Sequence, residues 1–158
     1  MKSHFLDDET ITDNAIHIPA IGLDLKVYIE PTATQGRATL IETYDAPGFG
    51  PPIHRHENET EVFHVLQGRY LFEVNGERKV VQAGETLTAL VGTTHRFVNI
   101  DDETSRMLVL ISPGFDATCF FSQLRDVMAD GIPDPVTLAR LGAKWHIEFL
   151  GPPLKVEQ

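Results

Sequence analysis

Cysteine is nearly absent: Cys119 is the sole thiol among 158 residues. One cysteine cannot build an internal disulfide framework, and it excludes a metal site made of clustered thiolates. Basic residues are scarce as well, 13 Lys and Arg against 23 Asp and Glu, for a net charge of −10. So acidic a chain is repelled by phosphate backbones and anionic membrane surfaces, which argues against nucleic acid or a membrane as partner. No apolar run approaches the ~20 residues of a bilayer span. The opening Met-Lys-Ser-His-Phe-Leu-Asp-Asp-Glu-Thr lacks the apolar core of a secretory leader, so a cytoplasmic location is expected. Internal repeats, low-complexity tracts and linkers are missing too. What remains, 42% hydrophobic and 23% charged, suits one domain with a buried core.

Pattern divides the chain into three zones. Residues 1–24 are mixed and read as an arm lying on the body. Residues 25–114 read as a barrel, with short apolar and β-branched runs punctuated by Gly, Pro, Asn and Asp. The strands expected there are Leu25–Ile29, Arg37–Tyr44, Glu61–Leu66, Tyr70–Val74, Lys79–Gln82, Thr86–Leu90, His95–Ile100 and Arg106–Ser112. Asn75-Gly76 between two of them signals a tight hairpin, since a type I′ turn needs positive φ at both positions. Closely spaced short strands favour a sandwich or barrel over a parallel sheet. In residues 115–158 the period changes. Phe120, Leu124, Val127 and Met128 recur at helical spacing after Asp116, a plausible N-cap. Asp134-Pro135 opens a second helix, with proline at its first position, running to Gly142. The fold class is therefore all-β with C-terminal helices, and Phe120, Phe121 and Trp145 are expected to pack on the barrel.

Histidine placement carries the chemical information. His54 and His56 are two apart, a spacing that puts both side chains on one face of a strand. Glu61 opens the next strand and His95 a later one. Three imidazoles and a carboxylate converging in a barrel suit one divalent first-row metal (Fe, Mn, Ni, Co, Cu or Zn) and are a poor match for calcium. His64 has the wrong parity relative to Glu61. It joins His4, His17 and His146 as a surface or packing histidine.

Gly48-x5-His54-x-His56-x4-Glu61-x6-Gly68 resembles the first cupin motif, and Gly84-x7-Gly92-x2-His95-x3-Asn99 the second. One departure is visible: Leu90 stands where the family has proline. The resemblance implies a cupin double-stranded β-helix, a jelly-roll barrel, with His54, His56, Glu61 and His95 holding one metal ion. Pro47-Gly48-Phe49-Gly50-Pro51-Pro52, Ser112-Pro113-Gly114-Phe115, the Phe120-Phe121 pair and the closing Phe149-Leu150-Gly151-Pro152-Pro153-Leu154 are similar to single-domain bacterial cupins of the quercetin dioxygenase type.

Four protein ligands leave two positions of a six-coordinate ion open, as a catalytic site requires. Strand parity predicts the substrate wall: Phe63 and Val65 share the face of Glu61, Phe97 and Asn99 that of His95, and Tyr70 and Phe72 line the adjacent strand. Such a wall suits a small, flat, partly apolar enol, phenol or flavonoid. The resemblance implies a metal-dependent dioxygenase in which Glu61 accepts the substrate proton. An isomerase or lyase of an enolisable compound needs a further acid/base group of correct parity, and none stands out. A non-catalytic small-molecule binder is the third reading. Val62, Leu66 and Val98, facing away from the cavity, lead us to expect a homodimer.

Overall fold

The computed structural model describes residues 15–156. Along β5 (Thr60–Gln67) and β10 (Ser105–Ser112) alternate residues are buried as a half-covered sheet requires, whereas β3 (Thr39–Asp45) is buried on both faces from Ile41 on, and these strands lie side by side as β3-β10-β5. β1 (Ile16–Ile18) and β2 (Leu23–Ile29) extend this sheet at one edge, and β8 (Thr86–Ala89) closes the other. A second sheet runs in the order β11-β4-β9-β6-β7, built from β4 (Pro52–His56), β6 (Arg69–Val74), β7 (Glu77–Gln82), β9 (His95–Asn99) and β11 (Ile147–Pro153). Every strand pair in both sheets is antiparallel. The sheets face each other as a jelly-roll, with Phe63, Val65, Tyr70, Phe72 and Met107 packed between them at 2% exposure or less.

Asn75 and Gly76 take φ values of +49° and +81° and join β6 to β7, the turn their dipeptide predicts. Two helices follow the barrel. Asp116 caps α1 (Ala117–Val127) by accepting the Cys119 N–H at 3.1 Å, and Asp134 caps α2 (Pro135–Lys144) by accepting that of Thr137 at 2.8 Å. Phe120, Leu124, Leu138 and Leu141 are their buried faces. Among the described residues, no helix is long and apolar enough to cross a membrane.

Two strands lie where none was expected. β1 sits in the segment read as an arm, whose first 14 residues fall outside the described part. β11 sits in the segment read as helical. β4 is the strand that the His54 and His56 spacing implies, and it begins at Pro52. Of the side chains expected to offer a dimer face, Leu66 is exposed, whereas Val98 is fully buried.

Candidate metal centre

Both sheets contribute to one cluster. His54 and His56 project from β4, His95 from the first residue of the neighbouring β9, and Glu61 from β5 in the opposite sheet. One ligand atom from each of the four lies within 4.8 Å of all the others. The cupin resemblance implied this convergence, strand parity the shared face of His54 and His56, and the structure brings the four side chains together.

Each imidazole is held from behind. The Nδ1 of His54 lies 2.8 Å from the Pro52 carbonyl oxygen, and that of His95 3.2 Å from the Thr93 carbonyl oxygen. The Nδ1 of His56 faces a Glu59 carboxylate oxygen at 3.3 Å. Carbonyl and carboxylate oxygens only accept, so each Nδ1 carries the proton and each Nε2 lone pair is left for the cluster. The Nε2 atoms of His56 and His95 then sit 3.1 and 3.0 Å from the two oxygens of Glu61. Those separations are hydrogen-bond lengths for a proton between imidazole and carboxylate, and they equally suit donors that share one bound cation. A divalent first-row metal fits this donor set, with nitrogen and oxygen ligands and the outer nitrogens already fixed.

The electrostatics report the same demand. Burial opposes charge on His56, but the Glu61 and Glu59 carboxylates outweigh it and raise its pKa to about 10. Burial, then repulsion from His95 and His56, lowers that of His54 to about 3. Burial would lift Glu61, yet His56 and His95 bring it well below the ordinary carboxylate range. One positive charge in the cluster is what the four groups together stabilise.

The cluster opens on a cavity lined mostly by apolar and aromatic side chains. Of the expected wall residues, Phe63 and Phe97 border it. Val65, Tyr70, Phe72 and Asn99 do not. Their inward parity is right, but they lie further along their strands, where the barrel is filled: the first three are fully buried in the core. Asn99 is occupied structurally, donating to the carbonyls of Asp45 and Glu103 at 2.9 and 2.8 Å and accepting from the Asp101 N–H and the Ser105 hydroxyl. His64 points outward to Thr86, as its parity requires.

Much of the wall comes from the C-terminal segment. Phe120, Phe121, Leu124 and Met128 of α1 and the turn after it roof the cavity, while Phe115 and Phe149 flank the histidines, 6.1 Å from the His56 ring and 6.0 Å from the His54 ring. β11 brings Phe149 opposite His54 and Ile147 opposite His56, and its Glu148 accepts two bonds from the Arg55 guanidinium, at 2.8 and 2.5 Å. Asp45 also borders the cavity, correcting the expectation that no further acid/base group faces it.

Residues 41–111 match the family model described as the cupin domain. The epoxidase atD of Aspergillus terreus is 34% identical over 85 residues, covering 53% of this chain and 26% of that protein. The polyketide synthase CurC of Streptomyces cyaneus is 32% identical over 95 residues, covering 58% of this chain and 60% of that protein. The chain thus spans less than two thirds of the length of either relative. Among solved structures, KdgF from Halomonas sp. superposes with a TM-score of 0.61 at 22% identity, over 75% of this chain and 99% of that one.

Proposed function

We propose, taking as premise the cupin jelly-roll and its three-histidine, one-glutamate cluster, that this protein is a metal-dependent dioxygenase-like oxidoreductase acting on a small enol or phenol of flavonoid type. The observation that carries the reading is the junction of the cluster with an apolar, aromatic-lined cavity. His54, His56, Glu61 and His95 would hold the ion. Bound there, a divalent first-row cation supplies Lewis acidity toward an enol or phenol oxygen and open positions for exogenous ligands. Phe63, Phe97, Phe115 and Phe149 border the cluster side of the cavity, where they favour a planar, electron-rich substrate and exclude water. Glu61 is the group placed to take the substrate's hydroxyl proton, at whichever carboxylate oxygen is free of the cation. Dioxygen is the oxidant, and both of its atoms end in the product.

Two points of likeness support oxygen chemistry over isomerisation. The quercetin dioxygenase-type features of the sequence surround the site, and one relative is named an epoxidase. The cavity brings no cationic side chain to its wall, so a sugar phosphate has nothing to grip. The test is metal analysis of protein purified without added metal, followed by oxygen uptake with flavonols and enediols on protein loaded in turn with Fe, Mn, Ni, Co and Cu. Uptake with at least one such pair is expected. Turnover of enediols under anaerobic conditions, with no oxygen uptake for any pair, overturns the dioxygenase in favour of an isomerase or lyase.

A further inference from the structure

Asp45 is the last residue of β3 and is 1% exposed. Its side chain points into the same cavity as the metal cluster, but at the other end. In the ladder, Asp45 pairs with Ser105 of β10, whereas Glu61 pairs with Ile111. Six residues along β10 separate the two levels, about 20 Å along the strand. Ile41 and Val109 line the stretch between.

The surroundings of this carboxyl are unusual for an acid. Tyr70 donates to its Oδ2 at 2.7 Å and Thr43 donates to the same oxygen at 2.9 Å. Among the described residues, no side chain bonds Oδ1 and no cation pairs with the group. Tyr70 on β6 is the titratable group in contact with it; Asp24 on β2 repels it from the outer face of the sheet, where it pairs with His17, and Arg106 on β10 is bound to Glu42 on that same face. A carboxyl buried among apolar side chains and neutral donors favours its protonated form, and with Oδ2 doubly occupied the proton belongs on Oδ1. Burial, opposed by the two hydrogen bonds, raises its pKa to about 7.

We propose that Asp45 is a specificity-determining anchor: its Oδ1 hydroxyl donates a hydrogen bond to an ether, carbonyl or phenol oxygen at the far end of an elongated ligand whose near end lies at His54, His56, Glu61 and His95. The inference rests on the metal-site reading and narrows its substrate class. The ligand has a chelating oxygen at one end, an apolar aromatic middle, and an acceptor at the other end. A compact enediol leaves Asp45 unengaged.

The test uses nickel-loaded protein under anaerobic conditions and two probes long enough to bridge the ~20 Å between the ends, 3-hydroxyflavone extended at its 4′ position by a biphenyl arm and the same molecule with a terminal methoxy group, with coordination read by the absorbance shift and affinity by titration calorimetry. Wild type at pH 6 is expected to bind the methoxy probe about fivefold more tightly than the parent, the worth of one net hydrogen bond. That preference should shrink at pH 8.5, where Asp45 ionises. Asp45→Asn, which keeps a donor, should hold the preference at both pH values. Asp45→Leu should lose it while keeping the metal; if that variant does not fold, the asparagine variant and the pH comparison decide alone. No preference in wild type at pH 6, or one that is indifferent to pH and to both substitutions, overturns the anchor. Preference without an absorbance shift overturns the metal reading and leaves the anchor standing. Failure of either probe to bind overturns both.

Discussion

His54 on β4 and His95 on β9 lie directly across the ladder from each other, their ring centroids 4.4 Å apart. Residues 41 apart in sequence thus join His56 to put three of the four ligands on a single sheet, and Glu61 completes the cluster from the facing sheet. The site depends on the closure of the barrel, but no core side chain depends on the site.

His56→Ala should therefore abolish stable metal binding while leaving the β fold. Removing a donor outright should cost more than the ~10–100-fold typical of losing a partner behind a ligand. Metal content after dialysis and far-ultraviolet circular dichroism measure the two halves of this statement. Full metal occupancy in the variant would place the site elsewhere, and global unfolding would make the ion structural.

Glu59→Gln tests the support behind His56. Glu59 is buried and faces the Nδ1 of His56 at 3.3 Å. Neutralising it weakens its hold on ring and tautomer, so metal affinity should fall ~10–100-fold. Competition with a chromophoric chelator reads the change. Unaltered affinity would mean that β4 alone orients the ring.

Glu61→Gln keeps the size and an oxygen ligand but removes charge and basicity. Turnover per bound metal should fall ~10²–10⁴-fold, the usual contribution of a general base. Oxygen uptake under saturating flavonol, normalised to metal content, is the measurement. A normalised rate equal to wild type would leave Glu61 a ligand only.

Asp45 makes stability depend on pH in a calculable direction. Its folded pKa, about 7, lies above the ordinary carboxylate value of 3.8. Between those values the folded protein holds a proton that the unfolded chain has released, so raising the pH through that window favours unfolding. The stabilising effect is fully present below the lower value and lost above the upper one. Relative to Asp45→Asn, wild type should lose up to ~4 kcal/mol between pH 4 and pH 8. Urea midpoints of the two proteins across that range provide the comparison, and parallel curves would show that Asp45 stays ionised.

Two glycines of one loop should respond oppositely to methylation. A Cβ on Gly50 would lie 1.7 Å from the Phe97 carbonyl oxygen, so Gly50→Ala must displace β9 beside His95. A Cβ on Gly48 would meet nothing within 4 Å, and only its φ of +79° is costly, about 1–2 kcal/mol. Gly50→Ala should lower both the thermal midpoint and metal content, Gly48→Ala the midpoint alone. Equal effects would show that the loop moves freely away from β9.

The ligand set was legible because its four residues stand at the spacing of the two cupin motifs the sequence resembles, with two-residue periodicity placing His54 and His56 on one face. Depth along a strand was not legible. Phe63 and Val65 have identical parity, yet the first borders the cavity and the second is sealed in core, because height in the barrel depends on register between strands distant in sequence. β11 was hidden for a different reason: Gly151, Pro152 and Pro153 argue against a strand, and only pairing with β4 makes one. Asp45 lies just past the expected strand Arg37–Tyr44, where nothing local marks it. Its burial arises from Tyr70 and Thr43, which no local pattern announces.

The partnership of β4 with β11 also has a consequence in time. The strand bearing His54 and His56 has an open edge until residues 147–153 have been made and folded back onto it. At ~5–20 residues per second of synthesis, that wait is on the order of 5–20 s after the histidines themselves are polymerised. Loading of the ion during translation would meet donors on an unpaired, fraying ribbon. An ion held by this cluster would therefore be bound only after β11 has paired with β4.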